Sequence, residues 1–121
     1  MAEKSPKTVS FMVGAITNEI LPVWKNTSGF GDITVLSAEI VTDAAGTAGI
    51  YLVNAGTDGG LTTGGTIASP SGTAYAAGTP YSMTMASSPV LSEGQYLGVQ
   101  ENNTGTAGTV TIVTITYLYG L

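Results

Sequence analysis

Apolar residues along this chain alternate with Thr and Ser in short runs, and Gly-rich stretches separate the runs. The segment Thr8-Val9-Ser10-Phe11-Met12-Val13 has strand periodicity, which sets Val9, Phe11 and Val13 on one face. Residues 17–24 carry a weaker pattern. Pro22 removes a ladder donor there, so the segment reads as a short edge strand or an extended connection. Residues 26–32 have loop composition. Residues 33–43 form the strongest early strand; the turn Ala44-Ala45-Gly46-Thr47-Ala48-Gly49 and a second strand at 50–54 follow, and the pair is expected as a hairpin. Residues 55–80 are rich in Gly and hold two Pro. A structureless loop of that length is uncommon in a compact domain, so a short strand is expected near residues 66–69. Residues 81–85 alternate again, 96–101 follow the turn Ser92-Glu93-Gly94, and 109–119 close the series. Nothing has the longer period of a helix. Short strands in this number, joined by Gly-rich turns, predict an all-β sandwich or barrel.

Two strands break phase. In residues 109–119, Val110 and Ile112 point to one face while Val113, Ile115 and Tyr117 point to the other. In residues 33–43, Ile33 and Val35 oppose Leu36, Ala38 and Ile40. A strand with one wet face keeps its apolar residues on the other. Either a β-bulge resets the register, or part of the outer face is covered by another subunit. The second alternative makes Val113, Ile115 and Tyr117 the candidate subunit seam. A small repeat, Gly46-Thr47-Ala48-Gly49 and Gly105-Thr106-Ala107-Gly108, reads as reuse of a turn in which Gly supplies positive φ.

Composition narrows the chemistry. The chain has 121 residues, a net charge of −5, 9% charged and 43% hydrophobic residues, and neither Cys nor His. It also has no Arg. One domain is expected at this length, residues 8–121, preceded by a flexible arm at 1–7 in which Pro6 blocks regular structure. The lysines, Lys4, Lys7 and Lys25, are too few and too scattered for a phosphate-binding patch, which argues against nucleic acid and anionic membranes. No apolar run approaches a membrane span. The N-terminus lacks a signal h-region.

Nucleophilic catalysis lacks a His base and a Cys. The acids Asp32, Glu39, Asp43, Asp58, Glu93 and Glu101 mostly flank turns, where solvated carboxylates are ordinary; a glycosidase-like pair would need two of them facing across a cleft. The stretch Thr57-Asp58-Gly59-Gly60-Leu61-Thr62-Thr63-Gly64-Gly65 lacks the Gly-Lys-Ser/Thr ending of a phosphate loop. Asp58 or Asp43 could hold calcium with loop carbonyls, but one acid among glycines reads first as a surface loop. Trp24, with Tyr51, Tyr75, Tyr81 and Tyr96, reads as a core or interface anchor before it reads as a sugar platform. No enzymatic activity and no cofactor are expected.

Four stretches carry a family resemblance: Gly31-Asp32-Ile33-Thr34-Val35, Asp43-Ala44-Ala45-Gly46-Thr47-Ala48-Gly49-Ile50-Tyr51-Leu52-Val53-Asn54, Leu91-Ser92-Glu93-Gly94-Gln95-Tyr96-Leu97, and the closing Gly108-Thr109-Val110-Thr111-Ile112-Val113-Thr114-Ile115-Thr116-Tyr117. From residue 8 to 121 the chain resembles the small jelly-roll decoration (cement) proteins of tailed-bacteriophage capsids. The resemblance implies an antiparallel jelly-roll β-sandwich of about eight strands. It implies a homotrimer on the outer capsid surface, made in the bacterial cytoplasm, which clamps neighbouring major capsid subunits. Terminal arms in that family reach neighbours, so Lys4, Pro6 and Lys7, together with Trp24 and Phe30, are the expected partner contacts. The alternative is a receptor- or glycan-binding module of a phage tail or fibre, which would need Trp24 in an exposed aromatic cluster.

Overall fold

The computed structural model describes residues 5–14, 16, 19–27, 29, 31–58, 65–101 and 110–119. All regular structure among them is β: β1 (Lys7–Val13), β2 (Leu21–Lys25), β3 (Ile33–Thr42), β4 (Gly46–Thr47), β5 (Ile50–Asn54), β6 (Thr66–Ser69), β7 (Ala74–Tyr75), β8 (Tyr81–Ser82), β9 (Thr84–Met85), β10 (Val90–Leu91), β11 (Tyr96–Glu101) and β12 (Thr111–Tyr119). One antiparallel sheet runs β1-β12-β3-β10, with β8 also on β3; a second runs β2-β11-β5-β6-β9; β4 and β7 form a small separate ribbon. The two large sheets enclose one apolar core, consistent with a β-sandwich. Its fully buried members come from both: Ile33, Val35 and Ile40 of β3 and Val113 and Ile115 of β12 oppose Ile50 and Leu52 of β5, Ile67 of β6 and Leu97 and Val99 of β11. Burying each such side chain stabilises the fold by about 1.5–3 kcal/mol before ordering costs.

The sequence pattern located most strands, including β6 at Thr66–Ser69. The turn at 92–94 also forms. Gly94 has φ 87°, and the Gln95 N–H donates to Ser92 O at 3.0 Å, as expected for a turn needing Gly at its third position. The expected hairpin of residues 33–43 with 50–54 does not form. β3 pairs with β12, β10 and β8, whereas β5 pairs with β11 and β6. Residues 43–49 are instead a crossing between sheets, and Gly46–Thr47 pairs with Ala74–Tyr75 on the way. A seven-residue connection easily spans the roughly 10 Å between packed sheets, and both strands are apolar enough to face a core from opposite sides. Neither Gly46 nor Gly49 has positive φ, so the turn argument for that repeat fails at its first copy; the second copy lies outside the described residues.

The phase break in β3 has a local cause. Its pairing with β12 passes from Ser37↔Thr116 to Val35↔Tyr117, leaving Leu36 unpaired as a bulge. Ile33 and Val35 before it, and Ala38 and Ile40 after it, therefore all face the core, while Leu36 is 41% exposed. β12 needs no such correction: Thr111, Val113, Ile115 and Tyr117 point inward throughout. Val113, Ile115 and Tyr117 thus belong to the core of their own chain and cannot line a subunit seam. The outward apolar residues of this segment are Val110 and Ile112, each 38% exposed.

Candidate interaction surface

The outer face of the first sheet is laid out in rows by the ladder register. Thr8, Thr116 and Ser37 form one row; Ser10, Thr114 and Glu39 the next; Met12, Ile112 and Val41 the third. Hydroxyls bond across the strands, Thr8 to Thr116 at 3.2 Å and Ser10 to Thr114 at 2.8 Å. The third row is apolar, and Met12 is 76% exposed. Val110 lies beside that row, held by its N–H donating to Asp43 Oδ1 and its carbonyl accepting from the Asp43 N–H. This face therefore grades from a hydroxyl lattice to an apolar corner, and Glu39 is its single charge within the rows.

A groove of about 430 Å³ opens at the other edge of β3, lined by Leu36, Glu39, Ser82, Met83, Met85 and Thr114 among others. It exists because the chain leaves this sheet after β8, pairs with β6 through β9, and returns as β10. Val35 to Ala38 have no strand partner on that side.

An aromatic wedge closes the side of the molecule where β1 and β2 lie. Trp24 packs against Phe11 and Tyr117, with ring centroids 6.2 and 5.0 Å away, and Tyr117 meets Tyr119 edge-on at 5.4 Å. Trp24 is half-buried between rings, so it is an anchor and not a flat exposed platform. Burial pushes the Tyr117 hydroxyl up to about 12, helped by its hydrogen bond with the Tyr119 hydroxyl. Lys25 lies over the Tyr96 ring, 5.3 Å from its centroid.

Two polar anchors were not legible as such. Asn26, read only as loop, is fully buried. Its side-chain amide donates to Gly31 O and Leu91 O, both at 2.9 Å, and its backbone bonds Gln95 O and the Gly94 N–H. Tyr75 is buried with its hydroxyl accepting from the Gly49 and Ile50 N–H groups; burial raises its pKa, outweighing the lowering effect of those donors. A local signal for either is hard to find, because Tyr75 bonds backbone some 25 residues away and Asn26 ties its own loop to Leu91, 65 residues on.

Of the expected partner contacts, Pro6 and Lys7 are exposed at the entry to β1, Trp24 sits in the wedge, and Lys4 and Phe30 lie outside the described residues. The Glu93 carboxylate accepts from Gly29 N–H and Gly31 N–H, each at 3.2 Å, so it fastens a loop. Among the described residues no group of three or more acids could hold a metal ion, and no helix is long and apolar enough to cross a membrane.

No protein-family model matches the chain, and no curated protein matches it. Among solved structures, one from work on Bacillus endospore appendages, which form a novel family of disulfide-linked pili, aligns over 99% of this chain and 92% of that one, at 15% identity and a TM-score of 0.43.

Proposed function

We propose that this chain is a non-enzymatic jelly-roll protein of a tailed-phage virion, binding major capsid subunits on the outer head surface and stabilising the head by adhesion. The jelly-roll reading is supported by strand order. With the two-residue β4, β7 and β9 set aside, β1-β12-β3-β10, with β8 beside β10 on the same edge of β3, faces β2-β11-β5-β6, so each sheet interleaves early and late strands. The adhesive reading is supported above all by the corner of Met12, Val41, Val110 and Ile112 on an otherwise hydroxyl-covered face. Such a corner costs solubility unless a partner covers it. Several copies of a modest contact on a repeating lattice give high avidity.

The test is to add purified protein to expanded empty heads assembled from the major capsid protein of the same virion and to image them. Regular added density at three-fold positions is the expected result, reduced in a Met12→Ser, Ile112→Ser variant. Sparse density, or binding at tail tips, overturns the reading.

A further inference from the structure

A sheet edge offers unpaired N–H and C=O groups to any extended chain, and proteins blunt such edges with Pro, charges, bulges or short strands. Among the described residues the two large sheets have four edges, and three of them are blunted. The β10/β8 edge consists of two-residue strands separated by the stretch from Val35 to Ala38, which has no strand partner on that side; β9 has only two residues; β2 carries Pro22 and a register shift opposite Leu97 and Gly98. The fourth edge is β1, seven residues without Pro, Gly or bulge and uncharged after Lys7.

The direction of its free groups follows from the ladder. Ala38 O accepts from the Met83 N–H, and Thr42 O accepts from the Gly78 N–H, so even-numbered residues here turn their main-chain groups away from β12. Ile40 shares that direction, and its β12 partner Val113 therefore bonds toward β1, to Phe11. The main-chain groups of Thr8, Ser10 and Met12 are left pointing out of the edge.

We propose that the β1 edge pairs antiparallel with the same edge of a second copy, about a two-fold axis at Ser10, to form a homodimer. In that register Ser10 meets the partner's Ser10, Thr8 meets the partner's Met12, and each pair exchanges both N–H···O bonds. Lys7 falls opposite the partner's Val13, so the only charge of the strand meets no like charge. Val9 falls opposite the partner's Phe11, which covers two half-buried side chains above the Trp24 wedge, and Met12 gains a neighbour. No other described edge of this chain can present an uninterrupted strand of this length, which is why the occupant is a second β1. An isologous pairing also closes the edge, leaving no template for further addition. The pairing does not rest on capsid binding, and it puts a two-chain assembly in place of the homotrimer that the family resemblance implies.

The test is light scattering with hydrogen exchange on the full chain. The expected mass is twice the 12.2 kDa chain at micromolar concentration, falling on dilution. Over the same range the Thr8, Ser10 and Met12 amides should exchange at least ~10-fold more slowly in the concentrated sample. Ser10→Lys and Ser10→Glu should each give monomers, because like charges oppose across the axis, and their equimolar mixture should restore the doubled mass. A wild-type monomer at all concentrations, a three-chain mass, or unprotected β1 amides in a dimer overturns the proposal. The exchange measurement uses wild-type protein, so it decides the matter even if a Ser10 variant fails to fold.

Discussion

At the scale of single residues, two hydroxyls inside the core behave differently from their neighbours. Thr111 is fully buried, and its Oγ1 has no hydrogen-bond partner among the described residues. Removing a buried unsatisfied hydroxyl while keeping a β-branched shape relieves a desolvation cost, so Thr111→Val should stabilise the protein by about 1 kcal/mol in urea unfolding. Tyr117 gives a pH signature. Its hydroxyl ionises near 10.0 when solvated and at about 12 in the fold. The folded state therefore holds its proton more tightly, and the corresponding stability is complete below pH 10 and is lost as pH rises toward 12. Tyr117→Phe should flatten the decline of unfolding free energy over that window. A variant that declines as steeply as wild type would place the titration elsewhere.

At the scale of elements, the bulge at Leu36 decides which side chains of β3 build the core. Leu36 is larger than Val35, and simple alternation from Ala38 and Ile40 would bury it. With the bulge, Val35 is buried and Leu36 exposed. Val35→Ala should then cost about 1–3 kcal/mol, and Leu36→Ala about 0.5 kcal/mol or less, in the same denaturation assay. The reverse order would move the bulge. The positions of β1, β3, β5, β6, β11 and β12 were legible because alternation and Gly punctuation are local signals. Pairing was not. Strands β3 and β5 are adjacent in sequence and not in a sheet, because a crossing of seven residues serves opposite sheets as well as a hairpin serves one. The same limit hid Asn26, whose partners Leu91 and Gln95 lie far along the chain, and turned Val113, Ile115 and Tyr117 into a supposed seam when the inward phase of β12 simply continued. The bulge itself was anticipated as one of two explanations, and in β3 it is the one that operates.

At the scale of the whole molecule, the distribution of charge sets what kind of adhesion is available. A net charge of −5 comes from few ionised groups, since only 9% of the residues are charged. The rows of the outer face hold hydroxyls, Glu39 and an apolar corner, but no cation. Contacts made there draw on apolar burial and neutral hydrogen bonds, and neither is screened by salt as ion pairs are. The proposed decoration of heads, made through this face, should accordingly be unchanged or strengthened when NaCl rises from about 50 mM to about 500 mM, across which the Debye length shrinks from about 14 Å to about 4 Å. Sedimentation of heads with bound protein at the two concentrations measures this directly. Occupancy that collapses at the higher salt would assign the contact to charged groups, with Lys7 at the entry to β1 and Lys25 beside Tyr96 the first to substitute. Occupancy that persists, yet falls when Met12 and Ile112 become Ser, would assign it to the apolar corner.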